Sequence, residues 1–183
     1  MNLLESPCRN DAEIPGMSAA PADTESAAFR LAIREFASGV AIVTCGEGDL
    51  RAGCTATALS SLSLTPPSLI VCIDRKATTL ARLRECGAFA VNILGARHDT
   101  LAARFAGRGG VKGSARFAEG EWVTLATGAP VLSDALAGID CRVEEIIDRH
   151  THAIIIGAVA AARRGSHDAA LLHWRSRFET LAK

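Results

Sequence analysis

Hydroxyl side chains are concentrated between residues 53 and 67. Six Ser or Thr residues alternate there with small apolar residues, and two prolines follow them. Small residues let a ligand approach the backbone, and hydroxyl and amide groups can bind its carbonyl, hydroxyl or phosphate groups. The alternative is a polar edge strand and loop that bind nothing. Composition alone favours that alternative.

A second candidate site contains two cations and two hydroxyls, Arg75, Lys76, Thr78 and Thr79. They lie where a predicted strand passes into a predicted helix. The N-terminus of a helix attracts anions, so this combination is typical of a phosphate site. The alternative is an ordinary helix start with exposed basic residues.

Two histidines, His150 and His152, lie between two apolar runs that read as strands. A histidine in a turn can titrate near neutrality or donate a hydrogen bond to a carboxamide or phosphate. The alternative is a surface turn without a ligand. The pair would supply only two metal ligands and nothing nearby offers a convincing third, so we predict no metal site.

Several catalytic classes lack their motifs in this chain. There is no G-x-S-x-G, and no G-x-G-x-x-G follows a predicted strand. The glycine-rich run 107–110 lacks the Lys-Ser/Thr ending of a P-loop. The sequence therefore supports neither a serine hydrolase nor a Rossmann dinucleotide fold.

The elements that position these groups are mostly strands. Apolar spacings of three and four predict a helix from Asp23 or Thr24 to Gly39, and further helices are predicted over 78–86 and 98–106. Short apolar runs predict strands over 40–44, 51–58, 68–73, 89–94, 139–147 and 152–161. The pattern of 51–63 is ambiguous, and 171–181 reads as a strand followed by a helical turn. Many strands and few helices predict a mainly β fold, a β-barrel with appended helices.

Composition excludes several further classes. The chain has 183 residues, of which 49% are hydrophobic, which is enough for a core. We expect a flexible tail over 1–22 and one domain over 23–183. The 20 basic and 20 acidic residues give no net charge, so we expect no nucleic-acid or anionic-membrane partner. No signal peptide or membrane-spanning stretch is apparent, and we expect a cytoplasmic protein with free thiols.

Taken together, the segments resemble the short-chain flavin reductases, whose fold is the split β-barrel of the FMN-binding type. The resemblance covers residues 29–181 and rests on the order and spacing of its parts. The matching parts are FASGVAIVT at 36–44, GCTA at 53–56, SLSLTPP at 61–67, FAVNIL at 89–94, FAGRGG at 105–110, GAPV at 128–131 and HAIIIGAV at 152–159.

The resemblance implies an activity. Members of the family use NADH or NADPH to reduce FMN or FAD, and many pass the reduced flavin by diffusion to a separate flavin-dependent monooxygenase. For this chain we expect NADH rather than NADPH. They are typically homodimers. The cofactor carries the hydride chemistry while the protein aligns the two rings, so we expect no essential acid–base pair.

The resemblance also implies site residues. The flavin-contacting stretches fall on Thr55, Ala56, Thr57, Ala58, Ser61, Leu62 and Ser63, and the phosphate-contacting stretch falls on Arg75, Lys76, Thr78 and Thr79. Further cofactor contacts fall on Asn92, Phe105 and Lys112. The G-D-H turn near the nicotinamide falls on 150–152, where only His152 keeps the family residue type. We expect His152 to position the nicotinamide.

The sequence is also compatible with two other functions. One is a flavin-binding storage or redox-sensing protein without turnover. The other is a thiol-redox protein using Cys54, which would need a lowered thiol pKa.

Overall fold

A computed structural model describes residues 22–165 and 169–181. Residues 1–21 of the expected tail, which include Cys8, lie outside the described residues. The chain divides into two units, residues 1–33 and residues 34–183. Helix α1 (Ala22–Ile33) belongs to the first unit. The other two helices, α2 (Thr78–Cys86) and α3 (Asp99–Phe105), belong to the second.

The second unit is built mainly from antiparallel strands. In chain order they are β1 (Ser38–Gly39), β2 (Ala41–Cys45), β3 (Ala52–Ala56), β4 (Leu59–Leu64), β5 (Pro67–Asp74), β6 (Ala88–Ile93), β7 (Trp122–Thr124), β8 (Pro130–Leu132), β9 (Ala137–Arg149), β10 (His152–Arg164), β11 (Leu171–Trp174) and β12 (Arg177–Thr180). Seven of them form one sheet in the order β3-β2-β6-β9-β10-β5-β4. A three-stranded sheet, β1-β11-β12, and the pair β7-β8 complete the described strands.

The seven-stranded sheet curls because its two edge strands are consecutive in the chain. Only Thr57 and Ala58 connect β3 to β4. A flat sheet would hold its outer strands about 29 Å apart, whereas such a link spans only about 11 Å. The amide of Cys72 on β5 also donates to the carbonyl of Ala58 at 3.0 Å. The prediction of a mainly β fold with appended helices is confirmed.

Side chains on the two faces of β2 enter two different cores. Val43 belongs to the cluster inside the curled sheet, together with Val71, Phe89 and Ile155. Ile42 belongs to a second cluster under α3, which includes Phe105, Phe117 and Leu132. Every residue of β2 is buried, which explains why this strand is apolar without alternation.

Two glycines permit close packing against aromatic rings. A Cβ atom at Gly157 would lie 2.5 Å from the ring of Phe89, and one at Gly53 would lie 2.6 Å from the ring of Phe105. A side chain at either position would force a ring out of the core. Gly53 therefore sets how closely β3 and α3 approach each other.

Two predictions of local structure were wrong. The first helix ends at Ile33 rather than at Gly39, because Gly39 is extended and pairs with Leu172 of β11. Residues 171–180 form a hairpin instead of a strand and a helical turn. Its turn residues Arg175 and Ser176 have φ angles of 48° and 66°, as expected for the turn that matches the twist of a hairpin.

The ambiguous segment contains a strand end and a second strand. The strand predicted over 51–58 ends at Ala56, and β4 follows after two residues.

No helix in the described part of the chain is long and apolar enough to cross a bilayer.

Candidate functional site

The hydroxyl-rich segment occupies the end of β3 and the edge strand β4. The hydroxyl of Thr55 donates to the carbonyl of Ala102 in α3 at 2.6 Å, so it ties β3 to the helix. Ala56 is buried, Thr57 is half-buried and Ala58 is exposed. The backbone of these residues and the Thr57 hydroxyl are therefore the groups that can meet a ligand.

A cleft of about 300 Å³ lies beside Thr57. Its walls include Gly39, Leu59 and Ile93. On β4, Ser61 and Leu62 are exposed and Ser63 is half-buried, and the Ser63 hydroxyl accepts the amide of Thr65 at 3.1 Å. The segment thus combines an apolar cleft with exposed hydroxyl groups, a combination that suits a planar ring with polar edges.

The two cations after β5 have different surroundings. Arg75 donates through Nη1 to the carbonyl of His150 at 3.2 Å, and its Nε lies 3.7 Å from the carboxylate of Asp148. Lys76 is exposed, and its backbone amide donates to Asp74 at 2.8 Å. Lys76 is therefore the cation of the pair that is free to meet an anion.

The two threonines of the predicted phosphate site also differ in their exposure to solvent. Helix α2 follows Ala77, and no side chain in the described structure caps its N-terminus. Thr78 is exposed in the first turn, whereas Thr79 is buried and its backbone carbonyl accepts a hydrogen bond from the Cys45 thiol at 3.6 Å. An uncapped helix N-terminus beside Lys76 and Thr78 is a suitable place for a phosphate.

His152 is exposed at the first position of β10. It pairs with Asp74, the last residue of β5, which brings the β9–β10 turn next to Arg75 and Lys76. The hydroxyl oxygen of Thr151 lies 2.9 Å from Nδ1 of the imidazole. His150, in the turn, has a left-handed φ of 47°.

Two of the predicted cofactor residues are enclosed by protein. Asn92 is fully buried: its amide nitrogen donates to the carbonyl of Ile42 at 3.0 Å and to Thr44, and its oxygen accepts the amide of Leu132 at 2.7 Å. Phe105 is buried, with its ring centroid 5.0 Å from that of Phe117. Because neither side chain is exposed, we no longer expect Asn92 or Phe105 to contact the cofactor. Lys112 is exposed, in the loop after α3.

Two polar residues that tie loops to strands were missed by the sequence analysis. Asp140 is buried in β9, and its carboxylate accepts both the amide of Thr127, at 2.7 Å, and the Thr127 hydroxyl. A lone carboxylate between Ile139 and Cys141 was a signal for such a role. Arg116 donates to three carbonyls, including that of Gly53 at 2.9 Å, and nothing local in the sequence indicates it.

The pKa values of two buried thiols, Cys54 and Cys45, are unsuited to redox catalysis. Burial raises the pKa of Cys54 to about 11 and that of Cys45 to about 12. A reactive thiol needs a lowered pKa, because the thiolate is the nucleophile. The site therefore does not favour the thiol-redox function.

Residues 33–182 match the flavin reductase-like domain. The chain belongs to the flavin reductase-like domain family. It is 38% identical over 165 residues to FMN reductase (NADH) RutF of Agrobacterium fabrum, covering 90% of this chain and 94% of that protein. It is 41% identical over 169 residues to FMN reductase (NADH) RutF 1 of Methylorubrum extorquens, covering 91% of this chain and 81% of that protein.

A solved flavin reductase domain has the same architecture. BorF, the flavin reductase component of a bacterial two-component tryptophan halogenase, superposes with a TM-score of 0.79 at 33% identity, covering 86% of this chain and 99% of that one. The resemblance inferred from the sequence motifs is thus confirmed.

Proposed function

We propose that this chain is an NADH-dependent flavin reductase that transfers a hydride from NADH to FMN or FAD. The observation that carries the proposal is the similarity to the Agrobacterium fabrum FMN reductase (NADH) across nearly the whole of both chains. A Streptomyces globisporus NADH:FAD oxidoreductase in complex with NAD and FAD fragments, 28% identical with a TM-score of 0.78, supports the same pair of reactants.

The residues on this chain fit a flavin. The cleft beside Thr57 accepts the ring system, and the backbone of 56–58 and the hydroxyls of Ser61 and Ser63 meet its polar edges. Lys76, Thr78 and the uncapped start of α2 bind the phosphate. The exposed Lys112, in the loop after α3, supplies a further contact to the cofactor.

His152 acts on the nicotinamide. With Nδ1 beside the Thr151 hydroxyl, the other ring nitrogen can donate to the carboxamide or to a phosphate of NADH. Nicotinamide and flavin supply the hydride donor and acceptor, and the chain binds and aligns them. No side chain has to remove a proton from carbon, so this role does not require an acid–base pair.

The reduced flavin then leaves by diffusion and is used by a separate flavin-dependent monooxygenase. Support for this role comes from the styrene monooxygenase flavin reductase of Pseudomonas putida S12, which is 28% identical to this chain with a TM-score of 0.74. We propose further that the working form is a homodimer. The alternative remains a flavin-binding protein without turnover.

The test is NADH oxidation by the purified chain, followed at 340 nm with and without added FMN or FAD. We expect oxidation only when a flavin is present, and slower oxidation with NADPH than with NADH. Flavin binding by fluorescence quenching is measured on the same preparation. Binding without NADH oxidation would replace the reductase with the storage or sensing function.

A further inference from the structure

Arg75 makes three contacts with the β9–β10 hairpin, two of them with the turn itself. Its backbone amide donates to the carbonyl of Thr151 at 2.9 Å, and its guanidinium donates to the carbonyl of His150 at 3.2 Å. The same guanidinium lies 3.7 Å from the carboxylate of Asp148 at the end of β9. One residue thus contacts both ends of the segment that leads into His152.

The guanidinium of Arg75 contacts the turn at its left-handed residue. His150 has φ of 47°, a left-handed conformation that a residue with a Cβ adopts only at an energetic cost. The guanidinium of Arg75 binds the carbonyl of this residue. Asp148 is also held from α2, by Arg84 at 2.6 Å, so the strand end next to the turn is anchored as well.

The contact extends to the imidazole. The hydroxyl oxygen of Thr151 lies 2.9 Å from Nδ1 of His152, and the carbonyl of Thr151 accepts the amide of Arg75. A turn that moved would carry the Thr151 hydroxyl away from the ring. The orientation of His152 therefore depends on the position of Arg75.

We propose that Arg75 is a positioning residue for hydride transfer, which holds the His150–Thr151 turn and thereby fixes the orientation in which the His152 imidazole meets the nicotinamide. This rests on the proposed function, which places His152 on the NADH side. Arg75 is then not a ligand of the flavin phosphate, because its guanidinium is directed at Asp148 and His150. Its neighbour Lys76 takes that role.

The test is a double-mutant cycle made of Arg75→Ala, His152→Ala and the double variant. Arg75→Ala removes the guanidinium contacts but keeps the backbone bond to Thr151. We expect it to lower kcat/KM for NADH by about 2- to 10-fold, as for the loss of partly exposed hydrogen bonds, and to leave the flavin Kd within about twofold. In the His152→Ala background the same change should have no further effect. Arg142→Ala, an exposed arginine of β9, is the control and should match the wild type.

A second measurement does not depend on turnover. The chain has five histidines, and we expect the His152 ring signals in proton–carbon NMR spectra to shift in Arg75→Ala but not in Arg142→Ala. His173 of β11 serves as the internal reference. If the wild type fails to oxidise NADH, the proposed function is lost, yet these spectra still decide whether Arg75 holds the ring.

Three results would overturn the proposal. The first is an unmoved His152 signal in Arg75→Ala. The second is a weaker flavin Kd with unchanged NADH kinetics, which would make Arg75 a flavin ligand. The third is a full additive loss in the double variant, which would show that Arg75 acts independently of His152.

Discussion

At the scale of single residues, Lys76 and Arg75 illustrate how adjacent cations acquire different tasks. Arg75 is engaged by the β9–β10 turn, whereas the Lys76 ammonium lies exposed next to the uncapped start of α2. A compact, hydrated ammonium is a suitable point charge for a mobile phosphate. We therefore propose a role in flavin affinity for Lys76 and a role in NADH alignment for Arg75.

We predict that Lys76→Ala raises the flavin Kd by roughly 5-fold, about 1 kcal/mol, because an exposed ion pair contributes little more than that. The KM for NADH should stay nearly constant. Fluorescence titration at low and high salt is the measurement, and the difference between variant and wild type should shrink as salt rises. An unchanged Kd at low salt would mean that the start of α2 does not bind the flavin phosphate.

At the scale of elements, β9 carries a polar anchor inside an apolar strand. Asp140 lies fully buried between Ile139 and Cys141. It accepts the amide and hydroxyl of Thr127, in the connection from β7 to β8. The carboxylate thereby joins the large sheet to the two-stranded pair.

We predict that Asp140→Ala destabilises the fold by about 2–4 kcal/mol, because it leaves the half-buried Thr127 amide without its acceptor and removes a fully buried carboxylate from the core. Urea unfolding followed by circular dichroism measures the change. Thr127→Val, which removes the hydroxyl's bonds to Asp140 and to the amide of Ala129 but keeps the Thr127 amide bond, should cost about 1 kcal/mol, and Thr127→Ser should be close to neutral. Equal losses in Asp140→Ala and Thr127→Ser would contradict the anchoring role.

At the scale of the whole molecule, exposed leucines mark the edge strand β4. Leu62 is 51% exposed and Leu64 is 87% exposed. An edge strand with large apolar side chains is a surface that invites pairing with another chain. This observation supports the proposed homodimer and points to β4 as part of its interface.

We predict that light scattering at micromolar concentration gives the mass of two chains. Leu64→Lys should shift the protein towards the monomer, since it places a charge in the apolar surface. Leu50→Lys, at a leucine 61% exposed in the β2–β3 connection, is the matched control and should stay dimeric. A wild-type monomer would remove the homodimer from the proposal.

For some elements, the residues near the two ends predicted the exact boundaries. Helix α2 spans Thr78–Cys86 as expected, because Leu80 and Leu83 recur on one face and Gly87, with φ of 63°, ends the helix. The long pair β9 and β10 was also predicted, although both strands extend beyond their apolar runs. These elements are determined by residues close together in the chain.

The sequence by itself determined the family and the mainly β fold, because apolar periodicity, turn residues and the order of the motifs can all be read along the chain. Only the tertiary structure decided what each polar side chain does. The Arg75 contact with His150 joins residues 75 positions apart, the Asn92 bonds to Ile42 and Leu132 span 50 and 40 positions, and Gly39 left the predicted helix to pair with Leu172. A polar side chain is satisfied by whichever partner the folded chain brings within about 3 Å, and that partner is set by strand pairing across the sheet rather than by neighbours in the sequence.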